Sequence, residues 1–455
     1  MQADTLITGA TVITVDAGRR VIRDGAVAIA GDTIVAVGKS ADLAGIDARE
    51  VIDGSRFVLT PGFVNCHVHI TETLIRGFIP GDLPFDETLG RWVIPLYKDH
   101  SPAEQIVAAK LAIAAMLRTG TTTFLEAGTI IAFDEVMAAI EGTGIRARTG
   151  RWTEDRAWDP SADAEALTRE ALSALETDVE SYPQDGRRIA AWPNLIGHMT
   201  ATDELWRSVT DLARRTGTRV SAHMSPVGGD SDWYLANTGR RAVEHLSDLG
   251  VLGPHLNLVH MVHVDRHEAE LVAASGTNVT HCPDASLRSG YGVTHRGLFP
   301  EMAKAGVNLA LGTDGADNHD MMRVMALMAS LFRDVREDRS LFPAHEALEM
   351  GTLNGAKVLG LEDSIGALAV GMKADIVAHD ARRPEWCPLN NPVEQLIASA
   401  DGRGVHSVWV DGARVVEDYR CTLIDEDALY AEGQAAAEAV LGRSGLPLVS
   451  EWPIS

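Results

Sequence analysis

Apolar and polar positions alternate in short runs over residues 4–58, as in Thr-Leu-Ile-Thr-Gly-Ala-Thr-Val-Ile-Thr-Val. A period of two predicts half-buried strands, and the Gly31-Asp32 pair between two such runs marks a hairpin. The same style returns over 367–419, in Asp-Ile-Val-Ala-His and Val-His-Ser-Val-Trp-Val. Each end segment is too small to bury a core alone, so the two are expected to pair into one composite β-sandwich. The long middle reads differently. Brief apolar strands are expected at 121–126, 190–197, 219–223, 256–260, 277–281 and 308–314, separated by helical stretches such as 102–119, 164–181 and 204–216. Strand–helix alternation predicts an α/β protein with a parallel sheet, and the barrel form of that architecture carries its chemistry at strand carboxyl ends. The expected division is 1–58 and 366–420 for the sandwich and 59–365 for the barrel. Residues 421–455 form a C-terminal segment with an amphipathic helix over 426–443.

Chemistry enters at residues 61–69, Pro-Gly-Phe-Val-Asn-Cys-His-Val-His. On an extended strand, side chains two apart share a face, so His67 and His69 can close on one metal ion. His223 ends the run Arg-Val-Ser-Ala-His, and Asp314 ends Asn-Leu-Ala-Leu-Gly-Thr-Asp. Three imidazoles and a carboxylate at strand ends suit a borderline divalent ion with one position left for water.

Length and charge narrow the classes. At 455 residues the chain accommodates one barrel and a smaller companion. With 40 Lys+Arg against 64 Asp+Glu, a formal charge of −24 and no basic tract, nucleic acid and anionic membrane are not expected partners. Cys66, Cys282, Cys387 and Cys421 form no CxxC pair, which favours free thiols in a reducing compartment. No leader pattern or membrane-length apolar run occurs, so the expectation is a soluble cytoplasmic protein acting on a small molecule.

Several motifs then match one family: the 61–69 run, Leu-Ile-Arg-Gly-Phe (74–78), Asp-Leu-Pro-Phe (82–85), Gly-Thr-Thr-Thr-Phe (120–124), Gly-Thr-Asp-Gly-Ala (312–316) and Gly-Met-Lys-Ala-Asp-Ile-Val (371–377). Over nearly its whole length the chain resembles the amidohydrolase superfamily, in the branch of S-adenosylhomocysteine/methylthioadenosine deaminases and triazine hydrolases. The resemblance implies a (β/α)8 TIM-like barrel beside a composite β-sandwich. It also implies a homo-oligomer and one divalent ion, zinc first, with iron or manganese as alternatives. His67, His69, His223 and Asp314 match the metal-ligand positions. His260 matches the histidine that contacts the activated water or the substrate, and His198 matches a substrate-facing position. Glu87 falls where nucleoside deaminases grip ribose hydroxyls, although the first turn of a helix favours acids without any ligand. His263 is a further candidate substrate contact, and His281 is expected to shape the turn after its strand. Arg148, Arg151 and Arg288 are candidates to meet an anionic substrate, with solvent exposure as the plainer expectation for each.

Coordination brings the pKa of water towards 7, Asp314 can take its proton, and the departing nitrogen must receive one. In the resembling enzymes that last proton passes through a glutamate three residues after the strand-five histidine. Here the segment is His223-Met224-Ser225-Pro226, and proline cannot carry a proton. Glu126, at the end of Thr-Thr-Thr-Phe-Leu-Glu, is the best placed substitute, with Glu72, Asp230 and Asp232 behind it. The plainer role for Glu126 is to orient a ligand histidine. The reaction expected is deamination of an N-heterocycle. The alternatives are hydrolysis of an amide, urea or carbamate, as in phenylurea hydrolases, and a catalytically silent scaffold.

Overall fold

The computed structural model describes residues 2–159 and 161–452. Both alternating ends enter one nine-stranded sheet. Gln2–Ile13, Val21–Ala30 and Thr33–Lys39 are antiparallel neighbours, with the turn between the last two at Gly31 and Asp32. Phe57–Pro61 then runs parallel to the first strand and antiparallel to Ile376–Asp380, with Thr60 opposite Val377. The ends therefore meet through hydrogen bonds inside one continuous sheet, and it folds back on itself, since a side-chain carbon at Gly412, in the turn between Val405–Val410 and Ala413–Glu417, would collide with the carbonyl of Gly31 at the other end of the strand order. Phe57–Pro61 is buried at every position, which makes it an interior strand needing partners on both edges. It also carries the sheet past the expected boundary at 58. Ile7, Val12, Ile29, Leu59, Ile376 and Trp409 form a core drawn from both ends.

The middle is parallel, as its strand–helix alternation predicts. Phe63–Val68, Thr121–Glu126, Arg146–Thr149 and Ile189–Ala191 make a four-stranded sheet. Asn194–Gly197, Val220–Met224, Leu256–His260, Asn278–His281 and Leu309–Leu311 make a five-stranded one. The single strand expected over 190–197 is interrupted at Pro193, which has no N–H for a ladder. The line continues across the break, since the Trp192 N–H donates to the Thr149 carbonyl at 2.7 Å and the Ser221 N–H to the Pro193 carbonyl at 3.3 Å. Two parallel bridges link the sheets, Val68 to Asp314 at one edge and Thr153, past the end of Arg146–Thr149, to Leu195. Gly312 allows the first junction, because a side-chain carbon there would lie 2.7 Å from His67 Cβ.

Helices Pro102–Arg118, Ala164–Ser181 and Asp203–Thr216 fall where the period predicts them. Pro102–Arg118 starts at a capping box between Ser101 and Glu104. Asp203–Thr216 buries Leu205, Trp206, Val209, Leu212 and Ala213 on one face. Glu426–Ser444 lies against Pro102–Arg118, with Arg443 paired to Glu104 at 2.8 Å and Arg118 to Glu426 at 3.3 Å. Among the described residues, no helix is long and apolar enough to cross a membrane.

Candidate metal centre

His67, His69, His223, His260 and Asp314 converge at the carboxyl ends of the parallel strands. His67 lies in Phe63–Val68 and His69 just past it, while His223 and His260 close Val220–Met224 and Leu256–His260. Asp314 follows Leu309–Leu311, where its N–H donates to the His67 carbonyl at 2.9 Å. One Asp314 oxygen lies 3.4 Å from His67 Nε2 and 3.3 Å from His69 Nε2. His69 Nε2 is also 3.4 Å from His223 Nε2, and His260 Nε2 is 3.9 Å from the other Asp314 oxygen. Atoms each about 2.0–2.1 Å from a shared ion in a tetrahedral shell stand about 3.3–3.4 Å apart.

Three of the four imidazoles are held uncharged, whereas at His69 burial is outweighed by Glu72 and Asp314, which lift it to about 9, so that ring must give up a proton to a bound cation. Burial pushes His67 and His223 below the usual imidazole range and His260 down to about 3, so their ring nitrogens keep lone pairs. The Ile196 carbonyl, 2.9 Å from His223 Nδ1, takes the proton there and turns Nε2 inward. Burial works against charge on Asp314, yet His260, His67 and His69 hold its carboxyl well below the carboxylate range. Neither nitrogen of His67 has a hydrogen-bond partner, although the residue is 1% exposed. Lone-pair donors left bare at such depth fit a cation.

Backbone strain is concentrated here. His198, His260 and Asp314 have φ of +50°, +79° and +65°, a left-handed region that side chains avoid unless the surroundings impose it. Gly197 precedes His198 because a side-chain carbon there would collide with the His223 carbonyl oxygen at 2.0 Å.

The centre opens into a cavity of about 580 Å³ lined by His69, Glu72, Trp152, His198, His223, Pro226, His260, Tyr291 and Asp314, among others. The His198 ring is stacked on His223 with centroids 5.6 Å apart, and its Nδ1 lies 2.9 Å from the buried Asp230 carboxylate. Burial lowers His198, but Asp230 raises it to a net upward shift. Asp230 is itself fixed by the Ser225 N–H at 2.5 Å.

Other expected residues are placed elsewhere. Glu126 does not line the cavity, because one oxygen accepts from the Gly128 N–H and the other from Thr129 Oγ1 at 2.8 Å, closing the turn after its strand. Burial lifts its carboxyl to about 7. Glu87 lies outside the lining and pairs with Arg91 at 3.1 Å on the other side of its helix. His263 is also outside, with Nε2 bonded to the Tyr291 carbonyl at 2.8 Å, so it holds the loop that brings Tyr291 to the wall. Of the three arginines only Arg288 reaches the cavity, and it is paired with Asp317 and Asp284. Arg148 is buried and donates to the Ala147 and Arg188 carbonyls, while Arg151 pairs with Asp178 at 2.7 Å.

Glu72 is the carboxylate that joins Asp314 at the inner end. It is buried, lines the cavity and lies 3.5 Å from His69 Nδ1, the nitrogen facing away from Asp314. Burial lifts it to about 7. Trp152, Tyr291 and Cys282 had no signal in the sequence as site residues. Trp152 stands 5.8 Å from both His69 and His223, ring to ring, and the Cys282 sulfur lies within 4.8 Å of donor atoms of His67 and Asp314. Burial keeps that thiol well above its usual pKa.

Residues 58–415 match the amidohydrolase family. A 5-methylthioadenosine/S-adenosylhomocysteine deaminase of Pelotomaculum thermopropionicum is 32% identical over 445 residues, covering 97% of this chain and 100% of that protein. A 5'-deoxyadenosine deaminase of Methanosarcina mazei is 30% identical over 449 residues, covering 97% and 99%. The crystal structure of a Xanthomonas campestris adenosine deaminase with bound zinc has a TM-score of 0.87 at 29% identity, covering 97% and 99%. An atrazine chlorohydrolase from Arthrobacter aurescens, complexed with zinc, has a TM-score of 0.87 at 24% identity, covering 95% and 100%, a likeness of fold. The donor set is that of a divalent metal site.

Proposed function

Because this chain belongs to the amidohydrolase family, we propose that it hydrolyses a C–N bond of a small nitrogen heterocycle and releases ammonia. The observation that carries this reading is the 3.3–3.4 Å spacing among His69, His223 and Asp314 donor atoms at the head of a closed-in cavity. Relatives named as deaminases of adenosine derivatives support it. In the architecture that goes with it, the two parallel sheets, linked by these bridges, close as a (β/α)8 barrel over 59–365. The end segments 1–58 and 366–420 supply the companion β-sandwich, and 421–455 is the C-terminal segment that carries the helix Glu426–Ser444. His67, His69, His223 and Asp314 hold a single ion. Zinc suits imidazole and carboxylate donors, and iron and manganese suit them next.

When bound, the ion supplies a nucleophile at neutral pH by lowering the pKa of water, and it polarises the carbon under attack. The rest falls to the chain's own side chains. Asp314 accepts the proton of the attacking water. His260, uncharged and close to the second Asp314 oxygen, orients that water or the substrate. His198, backed by Asp230, faces the cavity from the side where Pro226 leaves no carboxylate, and donates to the departing nitrogen. Glu72 fixes the ring of His69, and Glu126 fixes the turn beyond its strand. Trp152 and Tyr291 close the wall around the reacting atoms. The four cysteines are all unpaired, which fits action in the cytoplasm, and a homo-oligomer completes the reading.

Pro226 also favours a second reading, hydrolysis of an amide, urea or carbamate, where Asp314 passes its proton straight to the leaving nitrogen. Ammonia release from amino-heterocycles, measured beside amine release from ureas, separates the two. Chelation followed by reloading with zinc, iron or manganese tests the common core. Turnover should vanish and return, and turnover unaffected by metal removal overturns both readings. Purified protein that retains no metal and does no chemistry after loading would identify a silent scaffold.

A further inference from the structure

The surroundings of the cavity are held in two different ways. Most are tied by polar bonds. Thr71 Oγ1 donates to the Thr129 carbonyl at 3.0 Å, His263 holds the Tyr291 carbonyl, His198 is bonded to Asp230, and Arg76 Nε donates to the Ala316 carbonyl at 2.7 Å. Past Arg76 such ties stop. Among the described residues, every hydrogen bond and ion pair formed by residues 77–98 stays within 75–100, as does the Glu87–Arg91 pair. Yet Leu83, Phe85, Thr88 and Leu89 of this segment line the cavity.

Apolar contact alone fixes the segment to the rest of the protein, and that contact is concentrated at its base. Phe78 and Trp92 are buried there with their rings 5.7 Å apart, in a cluster with Leu74, Leu96 and Val440. Beyond this clasp Leu83, Phe85 and Leu89 are only partly buried. Gly81 and Gly90 bound the protruding part, both are exposed, and a side-chain carbon at either would meet no atom within 4 Å. Gly90 also lies in the π-helical turn Thr88–Val93, an irregular ladder of the kind found at functional bends. Between the two glycines Phe85 meets the loop after Asn278–His281, edge-on to Tyr291 with centroids 5.6 Å apart. Tyr291 in turn stands edge-on to His260 at 6.0 Å.

We propose that residues 81–90 are a lid over the cavity, pivoting at Gly81 and in the π-helical turn at Gly90 and latched where Phe85 closes on Tyr291. Opening breaks no hydrogen bond to the barrel and gives up chiefly one aromatic contact with its hydrocarbon neighbours, the mark of a segment at the low end of local stability. The open lid admits substrate, and the closed lid shuts bulk water away from the hydrolytic centre. The proposal goes beyond the hydrolytic reading and holds for any molecule that the cavity accepts.

The test places spin labels on the metal-loaded full chain, one at Asp86→Cys, an exposed position within the lid, and one on the native Cys387, the exposed member of the four cysteines. Pulsed dipolar measurement should give two distance populations, whereas Glu270→Cys, on an exposed helix position, paired with the same Cys387 should give one. Adding Phe85→Ala should raise the open-to-closed ratio about tenfold, the upper worth of an aromatic edge contact. In Phe85→Ala without labels, zinc uptake by the metal-free protein and zinc loss to a chelator should both quicken about tenfold while their ratio stays the same, since a gate changes both rates alike. A single distance at Asp86→Cys as narrow as the reference, a ratio unmoved by Phe85→Ala, or unaltered zinc rates overturns the proposal. Zinc loss that quickens alone overturns it too, because Phe85 would then support the donors instead of gating them. None of these outcomes bears on the hydrolytic reading, which chelation and reloading decide.

Discussion

His223 and His281 close two strands of the same parallel sheet, both are buried, and burial holds both imidazoles uncharged. Their surroundings separate them. His281 lies on the Phe299 ring with centroids 3.9 Å apart, and neither of its nitrogens has a partner. His223 is stacked between His69 and His198, at 5.4 and 5.6 Å, with Nδ1 fixed by a carbonyl and Nε2 aimed at other donors. Burial gives a histidine a free lone pair at either place. Among the described residues, a site arises where further donors converge on the free nitrogen, as they do on His67 and His223 and not on His281.

Substitutions can break or sharpen that contrast. Asp314→Asn should lower the initial rate about 10³-fold, because the base is lost while asparagine still tolerates the left-handed backbone. Circular dichroism melting unaltered beside that loss places the effect in the chemistry, and a near-normal rate removes Asp314 from it. His198→Asn should lower kcat about 10²-fold with a smaller change in KM. Equal losses in both would make His198 a binding contact only. Glu72→Gln should weaken metal affinity about tenfold, read by competition with a chromophoric chelator, since His69 would lose the group that orients it. On the other side of the contrast, His281→Leu should leave the rate unchanged. The urea midpoint should stay put or rise by the equivalent of about 1 kcal/mol, because two unpaired buried nitrogens are exchanged for hydrocarbon.

The strand-borne part of this geometry was readable from the chain. The His67–His69 spacing, the apolar runs ending at His223 and His260, and the alternation at both termini each follow from a period that one segment carries by itself. Arg146–Thr149 escaped because two arginines hide an apolar pattern, although Arg148 is buried and donates to carbonyls. Glu126 stayed open between two roles because position at a strand end does not say whether a carboxylate points outward or bonds back to the next turn. Glu87 depended on which helical face meets the cavity, a fact of packing rather than of local pattern. Trp152 and Tyr291 reach the site from loops, whose course depends on distant contacts such as the His263 bond to the Tyr291 carbonyl.

The Val68–Asp314 bridge joins the earliest parallel strand to the latest. A ribosome must therefore release residue 314 before the donors around His67 can be completed, so ion capture belongs to the end of biogenesis. Nascent chains stopped short of that point should exchange metal freely, and loading should coincide with the gain of protease resistance.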